Sequence, residues 1–124
     1  MITTKRVYET ADRTDGYRVL IDRLWPRGVS KAKARLNAWE KDIAPSPDLR
    51  KWYGHDPAKW PEFRRRYTNE LRTAAASRIL SDLVKRARRN RVTLVYGSRA
   101  AEISDVAVLE RVLRRRLDSA TQKR

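Results

Sequence analysis

Two short apolar runs constrain the fold of this chain more than any other feature. YRVLI at residues 17–21 and VTLVY at residues 92–96 are rich in β-branched side chains and have the length of buried strands. The chain between them has a mainly helical pattern and is long enough for crossover connections between parallel strands. We therefore predict an α/β fold with a largely parallel, short sheet flanked by helices.

The rest of the chain adds one strand and five helices to this prediction. Residues 3–9 have the pattern of a short first strand, whereas residues 37–48 contain two prolines and are predicted to be irregular. Capping signals and apolar residues at helical spacing predict helices in residues 31–36, in residues 47–53, from residue 61 onward, around residues 80–87 and in residues 106–117.

Length and composition indicate one domain. The chain has 124 residues, of which we assign 1–118 to a single α/β domain and 119–124 to a frayed basic tail. No apolar run approaches the roughly 20 residues that span a bilayer, and the N-terminus lacks the apolar region of a signal peptide. Because the sequence contains no cysteine, which agrees with a reducing compartment, we predict a cytoplasmic protein that does not contact a membrane.

The counts of cysteine and histidine limit the chemistry that is available. Without cysteine there is no disulfide, thiolate catalyst or cysteine-ligated zinc, and one histidine excludes a multi-histidine metal centre. No motif points to a magnesium site, and the spacing of a Walker motif is missing. We therefore predict neither a metal nor a cofactor.

The net charge of +15 is the dominant global feature. Thirty lysines and arginines face fifteen acidic residues, and most of the cations are arginines, whose planar guanidinium suits phosphate. One interpretation is a polyanionic partner, with nucleic acid favoured. The other is a solvated basic surface without a specific partner, and the charge alone does not separate the two.

The loop DRLWPRG (residues 22–28) follows the second predicted strand, where parallel sheets bind ligands. Arg23 and Arg27 are two guanidinium groups on a short, stiff segment, and Asp22 can orient one of them, which indicates an anion site. The alternative is that Asp22 and an arginine form a structural ion pair at the sheet edge. Four residues are predicted to shape this loop or to stack on a ligand: Trp25, Pro26, Gly28 and Trp52.

A second loop follows the strand at residues 92–96, and we expect it at the same edge of the sheet. Its Ser98 and Arg99, with nearby backbone amides, could form a phosphate cradle. His55 and Asp22 are the candidate acid–base residues, although a single histidine in a turn is more often structural.

Basic residues also cluster on the predicted helices, on the faces turned away from the core. If two such faces coincide, they form a patch that can follow a phosphate backbone. The members of this predicted basic patch are Arg64, Arg65, Arg66, Arg86, Arg88, Arg89, Arg114 and Arg115.

Three stretches, DGYRVLIDRLWPRGVSK, AWEKDIAPSPDLRKWYGHDPAKWPEFRRRY and VTLVYGSR, resemble the YeaO-like branch of the domain-of-unknown-function family numbered 488. The resemblance covers residues 2–117 and implies a small cytosolic α/β protein without an established activity. Ile103 and Ser104 stand where such proteins often have a His-Asn pair, which weakens the case for an enzyme. The sheet pattern is also loosely rhodanese-like, but the catalytic cysteine is absent, so sulfur transfer is excluded.

Three functional hypotheses follow. The first is a protein that binds a polyanion or a phosphate-bearing ligand, preferably nucleic acid, without catalysis. The second is an enzyme that acts on a phosphorylated small molecule, with the arginine loops holding phosphate and Asp22 or His55 moving a proton. The third is a domain that binds a protein partner or a second copy of itself through its tryptophan-rich surface.

Overall fold

Four parallel strands form one sheet in the computed structural model of the protein, which describes residues 1–122. In chain order the strands are β1 (Ile2–Arg6), β2 (Tyr17–Leu20), β3 (Ala38–Trp39) and β4 (Val92–Tyr96). Their order across the sheet is β1-β4-β2-β3, and every neighbouring pair is parallel. The predicted α/β fold with a parallel sheet is confirmed. The stretch predicted to be irregular differs, because it contains the two-residue edge strand β3.

Five helices connect and cover the strands. They are α1 (Lys31–Ala34), α2 (Pro47–Tyr53), α3 (Trp60–Glu70), α4 (Ala74–Arg89) and α5 (Asp105–Gln122). The side chains of Ser30, Ser46 and Thr73 accept hydrogen bonds from the first turns of α1, α2 and α4. Helix α5 includes residues 119–122 of the predicted tail, whereas residues 123 and 124 lie outside the described residues.

The main core lies on one face of the sheet, beneath helices α2 to α5. Successive side chains of a strand point to opposite faces, so Val19 and Leu94 enter this core while Leu20 and Val95 enter a smaller one. All five residues of the central strand β4 are buried, which explains why its sequence is mainly apolar and β-branched. The smaller core lies beneath α1 and the loop at residues 22–28.

An ion pair is buried beside the start of β2. The guanidinium of Arg18 donates to the carboxylate of Asp15 at 2.7 Å and to the carbonyl of Ala34 at 2.8 and 3.1 Å. Lys5 donates to the same carboxylate at 3.0 Å. These contacts satisfy the charged groups, so this cluster supports the sheet and offers no free cation to a ligand.

None of the helices within residues 1–122 has the length and apolar character that crossing a membrane requires.

Candidate functional site

The carboxyl ends of β2 and β4 lie side by side and place two predicted loops together. Asp22 follows β2 by one residue, and Gly97 follows β4 directly. The backbone N–H of Gly97 donates to Oδ2 of Asp22 at 2.8 Å. The expectation that both loops lie at one edge of the sheet is therefore confirmed.

A second carboxyl group meets Asp22 at this edge. Asp105, the first residue of α5, is partly buried and forms a side-chain hydrogen bond with Asp22. Burial raises the pKa of Asp105 well above its usual value, and the neighbouring charge of Asp22 raises it further. Burial also raises the pKa of Asp22. Because two carboxylates cannot hydrogen-bond each other without a proton, we assign the shared proton to Asp105, with Asp22 as the ionised acceptor.

The carboxyl pair forms part of the wall of a cavity of about 420 Å³, which we call the sheet-edge cavity. Helix α2 and the turn after it form the opposite wall. The lining residues are Asp22, Arg23, Leu24, Ala44, Pro45, Arg50, Lys51, Tyr53, Gly54, His55, Phe63, Ser98, Ser104 and Asp105. The cavity thus combines an acidic end, several cations and an apolar wall, as ligand pockets commonly do.

Two arginines enter this cavity from different elements. Arg23 is half-buried, and its Nε donates to the carbonyl of Pro45 at 3.3 Å, which fixes the direction of the side chain. Arg50 is exposed on α2, and its positive charge opposes the rise in the pKa of Asp22. The sequence predicted Arg23 as an anion ligand but missed Arg50, which looks like any other surface residue of a helix.

His55 stands at the mouth of the sheet-edge cavity in an unusual backbone conformation. Its φ of +58° is in the left-handed region, which costs a residue other than glycine about 1 kcal/mol or more. Its ring centroid lies 5.9 Å from that of Tyr53, whose hydroxyl donates to the carbonyl of Ile103. The two predicted acid–base residues, Asp22 and His55, therefore line the same cavity.

The predicted phosphate cradle at residues 97–99 does not have free backbone amides at each position. The N–H of Gly97 is already bound by Asp22, and a 3-10 turn at Ala101–Ile103 separates the predicted cradle from α5, which begins only at Asp105. Ser98 lines the sheet-edge cavity, and its hydroxyl oxygen accepts from the N–H of Ala100 at 3.2 Å. Arg99 is exposed and is not among the lining residues.

The loop at residues 22–28 divides between two faces of the sheet. Trp25 packs in the smaller core, donates to the carbonyl of Val29 at 2.7 Å and meets Trp39 edge-on at 5.4 Å. Pro26 is buried beside it, and Gly28 turns the chain with a φ of +76°. Trp25 and Pro26 therefore hold the loop in shape.

The two arginines of this loop do not act together. Arg23 enters the sheet-edge cavity, whereas Arg27 is exposed and is not among the residues that line it. The backbone carbonyl of Arg27 accepts from the hydroxyl of Tyr8 at 3.0 Å. Trp52 lies apart from this loop, where the cations of Lys59 and Arg66 approach its ring to 5.1 and 4.5 Å.

Five arginines line a groove between α3 and α5, which we call the arginine groove. Its volume is about 570 Å³, and Trp60 and Pro61 lie at the start of its α3 side. The arginines are Arg64, Arg65, Arg72, Arg111 and Arg115, and Glu102 is the one acid among the lining residues that the structure describes. The basic faces of α3 and α5 therefore lie side by side, which is the condition for a continuous basic patch.

The predicted basic patch is divided among several surfaces. Arg64, Arg65 and Arg115 line the arginine groove, whereas Arg88 and Arg89 are exposed at the end of α4. The remaining members are held by other contacts: Arg66 pairs with Glu62, Arg86 with Asp82, and Arg114 with Glu110. Arg111 and Arg72 complete the arginine groove.

The described residues contain no cluster of three or more histidine, cysteine, aspartate or glutamate side chains that could hold a metal ion.

Comparisons with known proteins give a family but no activity. Residues 1–124 match the family described as the inactive DUF488-N3 subclade. The uncharacterised protein Rv3073c of Mycobacterium tuberculosis strain H37Rv is 45% identical over 112 residues, which are 90% of this chain and 92% of that protein. The uncharacterised protein YeaO of Escherichia coli K12 is 38% identical over 114 residues, 91% of this chain and 96% of that protein. No solved structure matches, so the rhodanese-like comparison is not confirmed.

Proposed function

Since this chain belongs to the inactive DUF488-N3 subclade, we propose that it binds nucleic acid without catalysis, with the arginine groove as the interface. The related proteins Rv3073c and YeaO are themselves described only as uncharacterised, so the proposal depends on this chain's own surface. A cytoplasmic location is part of the proposal, and the absence of cysteine from the sequence supports it.

The observation that carries the proposal is the lack of acidic partners in the groove. Among the described residues, Arg65 pairs with Glu62, but Arg64, Arg72, Arg111 and Arg115 form no ion pair. By contrast, Arg86 on α4 and Arg114 on α5 are each paired with a carboxylate one turn away on the same helix. Four unpaired guanidinium groups in one groove are suited to a ligand with several phosphates.

Helix geometry spaces these guanidinium groups along the groove. Arg111 and Arg115 are four residues apart on α5, or about 6 Å along its axis. Arg64 lies on α3, and Arg72 lies eight residues further along the chain, two residues past the end of the helix. The four side chains thus follow the length of the groove from both sides, which favours an extended chain of phosphates over a single anion.

Other features of the groove agree with a nucleic acid ligand. Trp60 is half-buried at its α3 side, and an aromatic face that a base can stack on contributes about 1–3 kcal/mol per base. The net charge of +15 attracts any polyanion and accelerates its encounter with the protein.

The test is fluorescence anisotropy with a labelled single-stranded RNA of about 20 nucleotides, measured from 50 to 200 mM salt. Four phosphate contacts predict a slope of log affinity against log salt of about −3, so affinity falls about 50-fold over this range. Replacing Arg64, Arg111 and Arg115 by glutamine leaves one of the four contacts. The slope should then change by about 2 units towards zero.

A matched variant removes the same charge outside the groove. Lys85, Arg88 and Arg89 are exposed on α4, and their replacement by glutamine should leave most of the affinity and the slope unchanged. Circular dichroism checks that both variants fold. Equal losses of RNA affinity in the two variants would show that binding depends on net charge alone and would refute the arginine groove as the interface. No binding by the wild type at 50 mM salt would refute the function itself.

A further inference from the structure

The sheet-edge cavity is a second concave site, independent of the arginine groove. No residue lines both, so a ligand in one does not need the other. Its volume of about 420 Å³ is within the usual range for small-molecule sites. A site of this size suits a compact molecule better than an extended chain of phosphates.

The charges around the cavity favour a doubly negative ligand. Arg23, Arg50 and Lys51 contribute three positive charges to its wall. The carboxyl pair contributes at most two negative charges, and burial, which raises the pKa of both carboxyl groups, lowers this number. The lining therefore keeps a net positive charge, which suits a phosphate monoester, a ligand that carries about −1.5 to −2 at neutral pH. A zwitterionic ligand such as an amino acid would leave this charge uncompensated.

The acidic end of the cavity favours a ligand that also carries hydroxyl groups. The carboxylate of Asp22 has about four acceptor positions, and two are filled by the N–H of Gly97 and by the hydrogen bond from Asp105. The remaining positions can accept from a neutral donor such as an alcohol. Ser98 uses its oxygen as an acceptor, so its own O–H remains available to donate to a ligand oxygen.

The third wall is apolar and suits the carbon skeleton of such a molecule. Phe63 is buried there, stacked on Tyr53 with ring centroids 4.2 Å apart, and Pro45 and Ala44 lie beside them. Leu24 is 58% exposed at the mouth, where it adds apolar surface that a bound ligand can contact.

We propose that the sheet-edge cavity binds a small phosphate monoester that carries hydroxyl groups, that is, a sugar phosphate or a mononucleotide. The phosphate lies against Arg23 and Arg50, and a hydroxyl group donates to Asp22. Lys51 and His55 stand at the mouth, where Lys51 attracts the anion and a ring N–H of His55 can donate a hydrogen bond.

Isothermal titration calorimetry of the full chain tests this proposal with ribose 5-phosphate, adenosine 5′-monophosphate, propyl phosphate and inorganic phosphate. Ribose 5-phosphate should bind at least tenfold more tightly than propyl phosphate, which has no hydroxyl group for Asp22. Arg50→Gln should weaken ribose 5-phosphate about tenfold, because it removes a charged hydrogen bond. Arg50 is exposed, so this change leaves the core intact.

Arg64→Gln is the matched control, since it removes an exposed arginine of the arginine groove. It should leave the affinity for ribose 5-phosphate unchanged. If ribose 5-phosphate and adenosine 5′-monophosphate bind equally well, and Arg50→Gln lowers both affinities by the same factor, the cavity recognises the sugar phosphate itself. Tighter binding of adenosine 5′-monophosphate that is lost in the same variant supports a mononucleotide.

Three results would overturn the proposal: no binding of either hydroxylated ester, equal affinity for ribose 5-phosphate and inorganic phosphate, or a loss in Arg64→Gln that matches the loss in Arg50→Gln. None of these results depends on whether RNA binds in the arginine groove.

Discussion

Replacing Asp105 by asparagine tests the shared proton of the carboxyl pair through the stability of the protein. In the wild type, burial raises the pKa of Asp105 well above its usual value of 3.8, so the folded protein holds a proton that the unfolded chain releases. Asparagine has almost the same shape, and its amide N–H can donate to the carboxylate of Asp22 in place of the acid. The variant therefore keeps the hydrogen bond but has no proton to lose.

The sign of the effect follows from proton binding. The folded state binds more protons than the unfolded state between pH 3.8 and the raised pKa of Asp105, so the free energy of unfolding falls as the pH rises through this window. One proton corresponds to about 1.4 kcal/mol per pH unit. The stability that Asp105 contributes is complete below pH 3.8 and is lost above it, whereas the variant does not show this loss. The stability of the variant relative to the wild type should therefore rise with pH.

Urea unfolding followed by tryptophan fluorescence measures this difference, and the chain has four tryptophans. With a denaturant slope of about 2 kcal/mol per M, 1.4 kcal/mol moves the midpoint by about 0.7 M urea per pH unit. Asp118→Asn removes an exposed carboxyl group from the same helix and should follow the wild type at all pH values. Midpoints of wild type and Asp105→Asn that stay parallel from pH 4 to pH 7 would refute the shared proton.

Three further predictions concern residues outside the two binding sites. Gly16→Ala should lower the free energy of unfolding in urea by at least about 2 kcal/mol, because φ is +66° and the new Cβ would lie 2.3 Å from the carbonyl oxygen of Arg91. An unchanged urea midpoint would contradict this geometry. Asp15→Asn should lower the free energy of unfolding by about 3 kcal/mol in the same assay, because it leaves the buried guanidinium of Arg18 without its carboxylate. A loss below about 1 kcal/mol would show that the ion pair does not stabilise the fold. Glu62 accepts hydrogen bonds from two arginines on the next turn, which lower its pKa to about 2; an NMR titration midpoint near the usual 4.5 would show that these bonds do not persist in solution.

The strands were predictable from the sequence where burial determines the types of residue over several consecutive positions. The strand at Val92–Tyr96 was predicted with the observed bounds, because a strand that is covered on both faces is mainly apolar and rich in β-branched residues. Strand β3 was missed because two residues are too few to show any periodicity. Its position is fixed by contacts distant in sequence: it pairs with β2, and the indole N–H of Trp39 donates to the carbonyl of Asp22 at 2.6 Å.

The carboxyl pair could be predicted only in part. Asp22 was identified because it follows a buried strand, where parallel sheets bind ligands. Asp105 has a sufficient local explanation, since an acid in the first turn of a helix is favourable beside the helix dipole. Nothing in its sequence neighbourhood indicates that the chain brings it against Asp22. Only the packing of α5 across the end of the sheet makes it part of a site.

The directions of the side chains in the loop at residues 22–28 could not be predicted from the sequence either. From the sequence alone, Arg23 and Arg27 are equivalent guanidinium groups on one stiff loop. The structure separates them, because between them Trp25 packs against the smaller core and Pro26 is buried, and Gly28 then turns the chain. A residue before this anchor faces the sheet-edge cavity, and one after it faces solvent.

The position of the acids determines what each group of arginines can bind. The net charge of +15 describes both groups equally and says only that anions are attracted. In the arginine groove, four guanidinium groups on and beside two helices have no carboxylate partner among the described residues, so they can neutralise successive charges of a polymer. In the sheet-edge cavity, cations lie near a carboxyl pair that accepts hydrogen bonds, an arrangement that suits a compact molecule with both phosphate and hydroxyl groups. Because Arg64 belongs only to the groove and Arg50 only to the cavity, single substitutions can separate the two interactions.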